Sequence, residues 1–223
     1  MIEFAKNIKL YPYQNIGKNW LLERYFNNQP ALLADDMGLG KTVQVISFLV
    51  EKFRSGEIEN CLIVVPNSLL ANWSNEFNKF TSGADIYIHW GERHGMVSQI
   101  KSKQIVISTY STVKQDESLF EDLLFDVAIL DEASLIKNPY SNRTKAIKAI
   151  NRKFSIAMTG TPFENSATDL WALTDFLFED FLGDLEFFKN EYGNIHELPE
   201  SKISFLEDSI KPIMLRRKKE DVL

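Results

Sequence analysis

Cysteine is nearly absent: Cys61 is the only one among 223 residues. It sits in the apolar run Cys61-Leu62-Ile63-Val64-Val65, so it reads as core, and neither a disulfide framework nor a multi-cysteine metal site can be built. A reducing, cytoplasmic setting is expected. The three histidines, His89, His94 and His196, are too few and too scattered for a metal site and read as surface-loop residues. No hydrophobic run approaches the length of a membrane span. The opening Met1-Ile2-Glu3-Phe4-Ala5-Lys6 also lacks the layout of a signal peptide, so no membrane partner is expected. Excess positive charge is missing as well: 25 basic against 31 acidic residues give a net charge of −6, which argues against a protein coated with nonspecific nucleic-acid affinity. No Pro/Gly/Ser-rich linker and no internal repeat divides the first 165 residues.

A hydrophobic share of 44%, with 12% aromatic, is enough to pack one large α/β domain. Apolar runs suited to buried strands recur at 31–34, 61–65, 105–107, 127–130 and 155–158, and most alternate with segments of helical period. Ile46, Leu49, Val50 and Phe53 follow the i, i+3, i+4, i+7 spacing with Gly56 just beyond, and Leu69, Leu70, Trp73 and Phe77 repeat it. This alternation predicts an open, mainly parallel α/β sheet with helices on both faces. One core domain is read over residues 1–165, followed by a helical extension over 166–223. In that extension the stretch Leu170–Tyr192 is aromatic on every side, which suits core packing or, as the alternative, a protein interface.

Chemistry concentrates first at Ala34-Asp35-Asp36-Met37-Gly38-Leu39-Gly40-Lys41-Thr42, between the first apolar run and a helical pattern. A nucleoside triphosphate needs converging backbone N–H groups, a lysine charge at its outer phosphates and a hydroxyl on its magnesium. Met37 to Thr42 supply those groups: Gly38 and Gly40 allow close approach, Lys41 carries the charge and Thr42 the hydroxyl. The pattern G-x-x-x-x-G-K-[ST] would place glycine at position 35, where this chain has Asp35, so a second motif is needed. It is Asp131-Glu132, closing the apolar run Phe125-Asp126-Val127-Ala128-Ile129-Leu130. Carboxylates at the carboxyl end of a buried parallel strand face the ligand crevice. Asp131 is then the magnesium ligand, and Glu132 the residue that orients or deprotonates the attacking water.

Two basic clusters could track nucleic-acid phosphates: Lys137, Arg143, Lys145, Lys148, Arg152 and Lys153, and Arg216-Arg217-Lys218-Lys219. The alternatives are a solvated helix face for the first and lobe packing or a tail for the second.

Further signatures follow in order: Leu10-Tyr11-Pro12-Tyr13-Gln14, Val65-Pro66-Asn67-Ser68-Leu69-Leu70-Ala71-Asn72-Trp73, Ser108-Thr109-Tyr110, Asp131-Glu132-Ala133-Ser134, Thr159-Gly160-Thr161-Pro162 with Glu164-Asn165, and Leu215-Arg216-Arg217-Lys218-Lys219-Glu220-Asp221-Val222. Together with the phosphate turn, the set resembles the first RecA-like motor lobe of the SWI/SNF-type ATPases of helicase superfamily 2, from about residue 8 to the end. The resemblance implies ATP with Mg2+. It makes Gln14 an adenine reader, Lys41, Asp131 and Glu132 catalytic, Thr42 and Asp131 the metal side, and Thr159, Gly160 and Thr161 the coupling segment. It places Ser68, Asn72, Ser108, Thr109, Tyr110 and Lys137 on or beside a nucleic-acid track. Gln14 could instead cap a helix, and Trp73 reads as core rather than as a stacking platform. Ser134 replaces the family's usual histidine or glutamine, which leaves coupling less well supported than hydrolysis, whereas an acid at position 35 is common in the family. The implied function is the motor lobe of a double-stranded-DNA-dependent translocase that remodels protein–DNA complexes. A second RecA-like lobe, elsewhere in the parent chain, would supply arginines, so this lobe alone should turn over ATP poorly. A strand-separating helicase, a restriction or RNA-polymerase-remodelling motor, and a non-catalytic nucleotide-binding scaffold are the alternatives.

Overall fold

The computed structural model describes residues 2–91, 96–161, 167–193 and 198–222. Nine strands occur among them: β1 (Glu3–Phe4), β2 (Ala31–Leu33), β3 (Cys61–Val65), β4 (Thr81–Ser82), β5 (Ile86–His89), β6 (Ile105–Thr109), β7 (Phe125–Leu130), β8 (Arg152–Met158) and β9 (Met214–Leu215). Seven form one sheet in the order β5-β6-β3-β7-β8-β2-β9 with every pairing parallel, while β1 and β4 make a separate antiparallel pair. The helices are α1 (Pro12–Phe26), α2 (Lys41–Ser55), α3 (Leu70–Phe80), α4 (Met96–Lys101), α5 (Tyr110–Gln115), α6 (Glu117–Asp122), α7 (Asn142–Lys148), α8 (Ala167–Leu177), α9 (Leu185–Tyr192), α10 (Glu200–Ile210) and α11 (Lys219–Val222).

The central strands read as unbroken apolar runs because both faces of the sheet are covered. On one face Cys61, Ile63 and Val65 pack with Phe48, Leu49, Trp73 and Phe77 of α2 and α3. On the other, Leu62 and Val64 pack with Val113, Phe120, Ile147, Leu173 and Phe176 of α5 to α8. Fully burying each Leu or Phe contributes about 1.5–3 kcal/mol, so the two layers carry the fold. The helix predicted from Ile46, Leu49, Val50 and Phe53 is α2, and Gly56 caps it in the left-handed region. Cys61 is fully buried, and that burial pushes its thiol pKa well up.

The aromatic stretch 170–192 is two helices rather than one, because Asp184 accepts the Phe187 N–H at 2.9 Å and starts α9 afresh. Helix α8 is covered on two sides: Leu173 and Phe176 face the sheet, while Trp171 and Ala172 face Phe188 of α9 and Leu206 of α10. Core packing therefore accounts for Trp171, Phe176 and Phe188, and Phe178 and Phe187 remain exposed.

Two expectations need correction. The segment after residue 165 is not purely helical, since β9 pairs with β2 through Leu32–Met214 and Leu33–Leu215 and completes the sheet edge. His89 is not a surface-loop residue: it is fully buried at the end of β5, with Nε2 2.7 Å from Asp116 Oδ2 and the Phe120 ring edge-on. His94, His196, Pro162, Glu164 and Asn165 lie outside the described residues.

Candidate functional site

The carboxyl ends of β2, β7 and β8 deliver three loops to the same edge of the sheet, where an open parallel sheet binds its ligands. From β2 the chain turns through Ala34 to Gly40, with φ of +91° at Gly38 and +76° at Gly40. Both angles lie in the left-handed region that glycine enters without cost. A Cβ on Gly40 would also come within 2.6 Å of Gln14 Nε2, so side chains are excluded there on two counts. Helix α2 then begins at Lys41, and its unpaired N–H groups and positive dipole end point into the turn. That combination suits an anion. Met37 is exposed at the rim, Leu39 is buried beneath it, and Thr42 is half-buried in the first turn. Lys41 Nζ donates to the Asp35 carbonyl at 2.7 Å.

Gln14 caps a helix and also reaches the turn. Its Oε1 accepts the Tyr11 N–H at 3.0 Å, capping α1, and its Nε2 donates to the Leu39 carbonyl in the turn at 3.4 Å. One donor hydrogen and one acceptor lone pair remain for a further partner.

At the end of β7, Asp131 is held on three sides. Oδ2 accepts the Trp73 indole N–H at 2.7 Å, Oδ1 accepts the Glu132 N–H at 2.9 Å, and its carbonyl accepts the Tyr110 hydroxyl at 2.7 Å. Burial raises the Asp131 pKa, against the pull of Trp73, the Glu132 N–H and the Lys41 charge. Glu132 is half-buried and carries a left-handed φ of +49°, a strained conformation for a residue with a long side chain. Burial and then the neighbouring Asp131 charge raise its pKa, and Lys41 lowers it. The two carboxylates that follow β7 and the lysine that opens α2 thus lie within electrostatic reach of one another. A hydroxyl at Thr42 and a carboxylate at Asp131 are hard oxygen donors, a set suited to a magnesium ion that keeps most of its water. Among the described residues no cluster of three or more His, Cys, Asp or Glu side chains could hold a metal.

Trp73 is core, as its helical spacing implied, and it is also the clamp on Asp131. Exchanging Trp73 for phenylalanine is expected to cost about 2–4 kcal/mol, combining a lost hydrogen bond to a charged group with a smaller ring in a full site. Urea denaturation measures it. A loss under 1 kcal/mol would mean that the indole N–H does not hold the carboxylate.

From β8, Thr159 is buried, its N–H bonded to the Leu33 carbonyl at 3.2 Å, and its Oγ1 accepts the Thr161 N–H at 3.2 Å. Gly160 is half-buried and Thr161 exposed. The coupling candidates therefore join the end of β8 to the strand that enters the phosphate turn.

The residues expected along a nucleic-acid track divide. Ser68, Asn72 and Lys137 are exposed. The side chains of Ser108, Thr109 and Tyr110 are buried, because β6 is covered on both faces up to its last residue. Ser108 Oγ donates to the His89 carbonyl at 2.9 Å, Thr109 Oγ1 caps α5, and Tyr110 supports Asp131. Half of the first basic cluster is already paired within the protein. Lys148 pairs with Asp175 and Lys153 with Asp126, while Arg152 donates to the carbonyls of Lys148, Ile150 and Phe176. Lys137 and Arg143 instead line an open cleft of about 630 Å³ with Ser111, Lys114 and Asn138.

Comparison with known proteins supplies the context. ISW2, the ATPase of an ISWI chromatin-remodelling complex in Saccharomyces cerevisiae, is 36% identical over 228 residues, which cover 98% of this chain and 20% of that protein. An uncharacterized ATP-dependent helicase of Mycoplasma pneumoniae is 35% identical over 225 residues, covering 100% of this chain and 22% of its own. The chain thus spans about a fifth of the length of these relatives. Its fold superposes on the Sulfolobus solfataricus SWI2/SNF2 ATPase core in complex with dsDNA with a TM-score of 0.89 and 32% identity, over 95% of this chain and 45% of that one. Residues 13–223 match the SNF2-related domain, and with a RecA-like sheet that carries its phosphate turn and acid pair at one edge, the chain belongs to that family.

Proposed function

We propose that this chain is the ATP-binding lobe of a DNA-dependent ATPase that translocates on double-stranded DNA and remodels protein–DNA complexes. The observation that carries the reading is that the glycine turn opening α2 at Lys41 and the Asp131–Glu132 pair that follows β7 lie at the same carboxyl edge of one parallel sheet. The turn from Met37 to Thr42 would cradle the phosphates through its backbone N–H groups, with Lys41 at the outer phosphates and Gln14 at the adenine edge. Thr42 and Asp131 would hold magnesium, which when bound neutralises charge on the phosphate oxygens. Glu132 orients the attacking water and accepts its proton at the carboxylate. Thr159, Gly160 and Thr161 relay changes in the turn, and Ser68, Asn72 and Lys137 meet the phosphates of one strand. A second RecA-like lobe would bring arginines to the transition state, each worth about a thousandfold or more.

The test joins this chain to such a second lobe and measures ATP turnover with and without duplex DNA, together with strand displacement. Turnover stimulated by duplex without displacement is the expected result. Displacement would make the protein a strand-separating helicase, and turnover indifferent to DNA would end the motor reading.

A further inference from the structure

Asp35 stands where a phosphate loop commonly has glycine, and its carboxylate is fully buried, a position that requires a partner. The partner comes from the other end of the chain. Arg217 donates to Asp35 Oδ1 from its backbone N–H at 3.1 Å and from Nε at 2.9 Å, and its Nη2 pairs with Asp35 Oδ2. The same guanidinium reaches Gln44 Oε1 of α2 at 2.8 Å and the Tyr13 carbonyl of α1. Gln44 in turn donates to Asp35 Oδ2 at 3.2 Å, closing the cluster. Gly17 makes room for it: a Cβ there would overlap Gln44 Oε1 and come within 2.9 Å of Arg217 Nη2.

Around this cluster the outgoing segment lies along the phosphate turn beyond the end of β9. Ala34 N–H donates to the Leu215 carbonyl at 2.7 Å, Asp36 N–H to the Arg217 carbonyl at 3.0 Å, and Lys219 N–H to Asp36 Oδ2 at 3.1 Å. Lys219 Nζ would lie 3.4 Å from a Cβ on Gly38, so the segment reaches the lip of the turn. Asp35 has a second function in the same geometry, because its carbonyl accepts Lys41 Nζ. One residue therefore joins the guanidinium on the outgoing segment to the ammonium expected at the phosphates.

We propose that Arg217 is a positioning residue for the nucleotide turn: through Asp35 it sets where Lys41 is held, and it ties residues 214–219 to the turn so that nucleotide and outgoing segment sense each other. The proposal rests on the nucleotide reading above. It also gives Asp35 a reason to replace glycine, since a glycine would leave the arginine without its carboxylate partner. Reciprocity follows from linkage: whatever the segment does to nucleotide affinity, nucleotide does to the order of the segment.

The test titrates a fluorescent ADP analogue with magnesium into the whole chain and its variants, and follows amide hydrogen exchange over 214–222 with and without it. Arg217→Lys keeps the charge but loses the fork that spans Asp35, Gln44 and Tyr13. Arg217→Met with Asp35→Asn removes both charges, so no buried carboxylate is stranded and the fold remains testable. The expected result is a five- to twentyfold rise in Kd in both, at unchanged tryptophan emission. Nucleotide should slow exchange at residues 215–219 at least fivefold in the parent and not in the variants. Folded variants with the parent's Kd and the parent's exchange protection would reduce the cluster to a staple and overturn the proposal. A parent chain that bound no analogue would remove the nucleotide reading and this role with it, whereas a binding parent with indifferent variants removes this role alone.

Discussion

Exchanging Glu132 for glutamine is expected to leave nucleotide affinity within about threefold and to lower ATP turnover by roughly 10²- to 10⁴-fold, the span that a positioned general base contributes. The side chain follows β7 beside Asp131, outside the 34–42 turn that would hold the phosphates, so binding and chemistry separate in this variant. Turnover is measured where this chain is joined to a second lobe, and binding on the chain itself. An unchanged rate would remove Glu132 from the mechanism; tight binding with no turnover in the parent as well would favour a scaffold. The pH profile gives an independent reading. Burial and Asp131 raise the Glu132 pKa, and a base works deprotonated, so the parent's rate should begin to fall on the acid side at a higher pH than an ordinary glutamate would set. The sign of the stability effect follows from the same shift. A carboxyl whose pKa is raised by folding favours the native state at low pH and penalises it once pH climbs through that raised value. At neutral pH the glutamine variant escapes the penalty, so its melting temperature should equal or exceed the parent's while its rate collapses.

The sheet was legible because its central strands are buried on both faces, which writes 61–65 and 127–130 as unbroken apolar runs. Strand β5 was not, since Ile86-Tyr87-Ile88-His89 is half-covered at the sheet edge and mixes polar with apolar. Two-residue strands such as β9 carry no periodicity at all, and β9 exists because β2 offers it an open edge. At the site, Lys41, Thr42, Asp131 and Glu132 could be named because their spacing to a strand end defines their place. The Trp73 clamp could not, because 58 residues separate it from Asp131 and helical spacing says only that an indole faces inward. Arg217 was hidden differently. It sits in a run of four cations that reads as a phosphate patch or a tail, and nothing local shows that the second of the four turns inward to Asp35, 182 positions away. The usable signal was the buried acid itself: a carboxylate at the end of an apolar run implies a cation somewhere else in the chain. Ser108, Thr109 and Tyr110 were placed on or beside a track by the resemblance alone, and their burial was not legible. The strand is covered to its last residue, and the Ser108 and Tyr110 hydroxyls bond to the protein through partners distant in sequence.

Removing the Lys41 side chain with alanine should act on binding, and the size of the loss follows from what the ammonium touches. A charge-assisted contact to a phosphate is worth about 1.5–3 kcal/mol, so nucleotide affinity should fall roughly 10- to 100-fold. The same ammonium lowers the pKa of Asp131 and Glu132 and donates to the Asp35 carbonyl. Its loss therefore raises both carboxyl pKa values further and leaves the Asp35 carbonyl without that donor, so the site is weakened on both sides of the crevice. Salt dependence separates this from a simple loss of fold: the parent's affinity should weaken as ionic strength rises, and the alanine variant's should weaken less, because one screened attraction is gone. Titration with the fluorescent ADP analogue at two salt concentrations, beside a thermal melt of each protein, reads both quantities. Affinity that survives the substitution at both salts would show that the phosphates are not held at this turn, and the role given to Gly38, Gly40 and Thr42 would fall with it.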